Sequence, residues 1–129
     1  MKIEHLAIWV EDLELMKSFY EKYFDAKAGE KYHNPKKKFT SYFLSFDGGC
    51  RLELMAKPEI PKNLNDTISE YIGIIHFAIS VGSKEKVDTL TKQLEQDGYK
   101  IIGLPRTTGD GYYESVVLDG ENNRIEITV

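Results

Sequence analysis

The chain has 129 residues, 41% hydrophobic and 29% charged, with a formal net charge of −4. That is the length of one domain with enough apolar side chains for a real core, and its acidity argues against a nucleic-acid surface. One cysteine excludes an intrachain disulfide, and the sequence has neither a basic-then-apolar leader nor an apolar run near the ~18 residues a membrane span needs, so a cytoplasmic protein is expected.

Residues 3–10 (IEHLAIWV) alternate as a half-buried strand, with Leu6, Ile8 and Val10 on one face and Ile3, His5, Ala7 and Trp9 on the other. Asp12 caps a helix on which Leu13, Met16, Tyr20, Tyr23 and Phe24 recur at helical spacing. Strands are predicted over 28–33, 39–46 and 50–56, the last two joined by the turn Asp47-Gly48-Gly49. His33, beside Asn34-Pro35, reads as a loop residue, and Lys36, Lys37 and Lys38 as a solvated turn. Residues 57–71 carry two prolines and polar punctuation, which marks a connector. A strand at 74–81 (IIHFAISV) then puts Ile75, Phe77, Ile79 and Val81 on one face and His76, Ala78 and Ser80 on the other. Ser83 caps a helix carrying Val87, Leu90 and Leu94, and Gly98 stands where a left-handed C-terminal cap belongs. Strands near 99–103, 112–118 and 124–129 follow, with residues 119–123 as the last turn.

The order repeats, and so do the words. IEHLAIWV is answered by IIHFAISV, and RLELM (51–55) by RIEIT (124–128). The reading is an α+β fold of two tandem βαβββ modules, 1–56 and 72–129, within a single domain 1–129. The duplication sets His5, Glu53, His76 and Glu126 at matching points, each on the strand face opposite the apolar row. Two imidazoles and two carboxylates suit a divalent transition metal such as Ni, Co, Mn, Fe or Zn, and an octahedral ion held by four protein groups keeps two positions for water or a chelating substrate. Without an ion, two carboxylates buried together would cost desolvation and repulsion. Trp9 and Tyr42, with Tyr112 or Tyr113, are expected to line the substrate cavity. Cys50 lies on an apolar row and reads as a small hydrophobe.

A duplicated βαβββ unit with His on its first strand and Glu on its last resembles the vicinal oxygen chelate superfamily. This group holds glyoxalase I, methylmalonyl-CoA epimerase, extradiol dioxygenases and the fosfomycin- and bleomycin-resistance proteins. The resemblance spans essentially the whole chain. HLAIWVEDLELMKSFYEKYF is similar to the family's opening, and DGENNRIEIT to its closing signature, with the usual proline and glycine of that turn replaced at 120–122. The resemblance implies a curved mixed sheet around a metal-containing cavity, and a homodimer. Bacterial-type glyoxalase I uses the ligand set His, Glu, His, Glu, which His5, Glu53, His76 and Glu126 supply. It also implies a metal-dependent lyase or isomerase acting on a small substrate with adjacent oxygens, in which Glu126 is the base and Glu53 the alternative. The same scaffold serves dioxygenases, epimerases and antibiotic-binding proteins, which remain alternatives. At the place where glyoxalase I carries an Arg for a glutathione carboxylate, this chain has Trp9.

Overall fold

The computed structural model describes residues 1–64 and 66–129. The chain divides into two units, 1–63 and 64–129, with the boundary inside the expected connector. The first unit runs β1 (His5–Trp9), α1 (Leu13–Phe24), β2 (Lys27–Ala28), β3 (Tyr32–Asn34), β4 (Phe39–Ser45) and β5 (Arg51–Ala56). The second runs β6 (Phe77–Ser80), α2 (Lys84–Gln96), β7 (Ile101–Thr107), β8 (Tyr113–Leu118) and β9 (Arg124–Thr128). This is an α+β fold built from two βαβββ-like units, each with its own mixed sheet. The strand orders are β1-β5-β4-β2, with β3 also on β4, and β6-β9-β8-β7. In both, the first strand lies parallel to the last, and the remaining neighbours are antiparallel.

Alternation decides what each sheet buries. In the first unit Leu44, Leu52 and Leu54 are fully or almost fully buried, as are Met16, Phe19 and Tyr20 on α1. In the second, Val117, Ile125 and Ile127 are buried along with Val87 and Leu94 of α2. Each such side chain contributes roughly 1.5–3 kcal/mol by leaving water. Both helices begin as the sequence implies: Asp12 Oδ1 accepts from Leu15 N at 2.9 Å, and Ser83 Oγ from Lys86 N at 3.2 Å. Gly98, at φ +91°, holds the left-handed position just beyond the end of α2.

Two details differ from expectation. The strand expected over 28–33 is two short strands, which pair with opposite ends of β4, Ala28 with Leu44 and Tyr32 with Ser41. His33 pairs with Thr40 and is a strand residue, not a loop residue, because the chain turns only after Asn34. There the Asn34 side-chain oxygen accepts from Lys37 N at 3.2 Å. The second difference is that β6 starts at Phe77, so His76 immediately precedes the strand. Among the described residues, no helix is long and apolar enough to cross a membrane.

Candidate functional site

The parallel register of β1 and β5 sets Ala7 opposite Glu53 and Trp9 opposite Met55. His5, Trp9 and Glu53 therefore share the sheet face turned away from α1. His5 Nε2 lies 3.8 Å from Glu53 Oε2. Phe43, paired with Glu53 across β4, meets the His5 ring edge-on with centroids 5.3 Å apart. On its other ring nitrogen, His5 Nδ1 is 2.5 Å from Glu4 Oε2. The other Glu4 oxygen is ion-paired with Arg51, whose guanidinium stacks 4.1 Å from the Phe43 ring centre. The bond to His5, and after it the bond to Arg51, hold the Glu4 carboxyl below the usual range.

The second unit repeats the pair. Ala78 lies opposite Glu126 in the register of β6 and β9, and His76 Nε2 stands 3.3 Å from Glu126 Oε2. These two line a cavity of about 790 Å³ together with Arg106, Glu114, Val116 and Arg124. Glu114 is 8% exposed, and its Oε1 lies 3.3 Å from Arg106 Nη2. Burial first, then a hydrogen bond shared with Glu126, pushes the Glu114 carboxyl above its usual range. Arg124, counterpart of Arg51, donates instead to the Thr67 carbonyl at 2.9 Å.

Two aromatic assignments are corrected. Tyr42 pairs with Leu54, so it lies on the α1 side of the sheet, and its hydroxyl donates to Glu14 at 3.2 Å. Tyr113 donates to Asp88 of α2 at 2.7 Å. Neither faces the His–Glu side. Trp9 does, 41% exposed, with Phe39 edge-on at 6.0 Å and the Lys57 ammonium 5.3 Å from its ring centre. Phe43, Glu114, Arg106 and Glu4 escaped the sequence reading. Phe43 and Glu114 come onto the His–Glu face only through the hairpin registers, which the sequence does not spell out.

The donor chemistry fits a metal. Two ligands each about 2.1 Å from one ion at a right angle sit about 3 Å apart. The His76–Glu126 separation of 3.3 Å is close to that, and the His5–Glu53 separation of 3.8 Å is wider. Among the described residues no group of three or more His, Cys, Asp or Glu is gathered to hold an ion; each unit offers two donors.

A family model for the Glyoxalase/Bleomycin resistance protein/Dioxygenase superfamily matches residues 2–127. The chain belongs to this superfamily. Solved glyoxalase-superfamily structures share its fold at low identity. Glyoxalase I from Zea mays is 24% identical with a TM-score of 0.78, over 98% of this chain and 44% of that one. The trypanothione-dependent glyoxalase I of Leishmania major is 23% identical with a TM-score of 0.77, over 99% and 86% of the two chains. A glyoxalase family protein from Enterococcus faecalis is 22% identical with a TM-score of 0.77, over 99% and 97%. The chain thus spans less than half of the Zea mays enzyme it resembles. No curated protein matches the sequence significantly.

Proposed function

We propose that the chain is a divalent-metal-dependent lyase or isomerase of the glyoxalase type, acting on a small substrate with two adjacent oxygens. The observation that carries this is the duplicated His–Glu pair, His5 with Glu53 and His76 with Glu126, at equivalent points of the two units. In this reading all four side chains are ligands of one ion, drawn from Ni, Co, Zn, Mn or Fe. When bound, the ion supplies Lewis acidity, polarising a substrate carbonyl so that the neighbouring C–H becomes acidic. The proton is then the protein's task. Glu126 takes it from the substrate carbon and returns it to the adjacent carbon, with Glu53 as the alternative base. In this reading Trp9, on the same sheet face as His5 and Glu53, contacts the substrate. The active species is proposed to be a homodimer.

The test joins metal analysis of the purified protein to an assay with the methylglyoxal–glutathione hemithioacetal. Turnover that falls by roughly 10²–10⁴-fold in Glu126→Gln supports the reading. Bound metal without turnover removes the glyoxalase label. Iron and oxygen dependence would identify a dioxygenase instead. A second reading, a protein that captures a flat ligand without chemistry, is favoured by the exposed Trp9 ring with Phe39 and Lys57 about it. Failure to take up metal on loading selects that reading.

A further inference from the structure

The two half-sites match in their donors and differ in what stands behind them. A histidine that ligates through Nε2 must carry its proton on Nδ1, and something must hold it there. At His5 that partner is present. Glu4 Oε2 lies 2.5 Å from Nδ1, and a carboxylate ion-paired with Arg51 is an acceptor only. A bare Nδ1 would face it lone pair to lone pair. Glu4 is itself held in place. Arg51 pairs with its other oxygen, and Arg51 N donates to the Glu4 carbonyl at 3.1 Å. The Arg51 guanidinium in turn lies on Phe43, whose ring abuts His5. Glu4, Arg51 and Phe43 thus close a circuit with the imidazole. In the second unit Ile75, Val116 and Arg124 stand where Glu4, Phe43 and Arg51 stand in the first. Ile75 offers no side-chain acceptor, and Arg124 reaches for Thr67 instead.

We infer that Glu4 is a positioning residue that fixes His5 in its Nδ1–H tautomer, leaving the Nε2 lone pair on the Glu53 side as a prepared donor. Among the described residues, no carboxylate stands beside the other ring nitrogen of His76, which Ile75 precedes in the chain. The consequence for metal binding rests on the function proposed above; the tautomer does not.

The experiment uses the whole, metal-free chain labelled with ¹⁵N. Long-range ¹H–¹⁵N spectra are recorded at a pH alkaline enough to leave imidazole neutral, followed by titration with Ni²⁺ alone. Wild-type His5 is expected to carry its proton on Nδ1. Glu4→Ala should move it to Nε2, the form favoured by a histidine in water, and leave the His76 signals where they are. Glu4→Gln, whose one amide oxygen is claimed by the donor-only Arg51 so that its NH2 faces Nδ1, should likewise favour the Nε2–H form. Ni²⁺ affinity should fall by roughly tenfold or more in both Glu4→Ala and Glu4→Gln. His5 protonated on Nε2 in the wild type, or indifferent to Glu4→Ala, overturns the inference. A tautomer change with no loss of Ni²⁺ affinity overturns the positioning role. If the wild type takes up no metal, the proposed function fails, and the spectra still judge Glu4.

Discussion

A tyrosine hydroxyl bound to a helix carboxylate is not available to a substrate on the opposite face of the sheet. Tyr42 is committed to Glu14, with Lys17 and Lys31 near its ring, and Tyr113 to Asp88, with Lys84 over its ring. Tyr42→Phe and Tyr113→Phe should therefore leave kcat and KM as in the wild type. Phe43→Ala, which strips a wall from His5, should weaken metal binding or raise KM. Steady-state kinetics on the metal-loaded variants checks both. These residues also mark the limit of the sequence reading. Alternation within one strand set His5, Trp9, Glu53, His76 and Glu126 apart from the buried rows, since that needs only a period of two. The face of a residue on β4 depends on its register against β5, and that is set across the turn at 46–50, whose geometry the sequence does not spell out.

At the scale of elements, α2 is bolted to its sheet by a buried hydroxyl relay. Thr91 Oγ1 donates to the Val87 carbonyl at 2.6 Å and receives Ser115 Oγ, also at 2.6 Å. Ser115 is fully buried. Thr91→Val leaves that hydroxyl without its acceptor and should cost about 1–3 kcal/mol, whereas adding Ser115→Ala should restore part of the loss. Chemical denaturation of the two single variants and the double variant measures it. The segment before β6 is held differently. Asp66 Oδ1 accepts from Ser69 N at 2.9 Å and Ile68 N at 2.5 Å, and these bonds, the first foremost, lower its carboxyl below the usual value of 3.8. A depressed carboxylate stabilises above its unfolded value and loses that contribution as pH falls through the folded one. The Ile68 and Ser69 amide resonances should then titrate together below pH 3.8, and Asp66→Asn should abolish that inflection. None of this was legible beforehand. Proline and polar residues marked 57–71 as a joint, but the bond from Arg124 to Thr67 links residues 57 apart in sequence. The split of the 28–33 strand was hidden likewise, because β2 and β3 are defined by their partners on β4 and not by their own pattern.

For the whole molecule the informative property is duplication, because a repeated unit carries a repeated half-site. Two His–Glu pairs could serve two separate ions or one shared ion, and the alternatives differ in stoichiometry. A two-donor site on a strand face is a weak one, since each missing ligand must be replaced by water. Four donors on one ion give an affinity that neither pair reaches alone. The proposed function therefore requires about one ion per full donor set, and it requires His5→Ala and His76→Ala each to damage that one site. Either substitution should take metal content from about one ion per chain to well below half, with turnover lost alongside. If instead each variant keeps half of the wild-type metal, the pairs act separately and the shared-ion mechanism fails. Elemental analysis of the protein and both variants, loaded with the same metal and freed of excess, decides between the two.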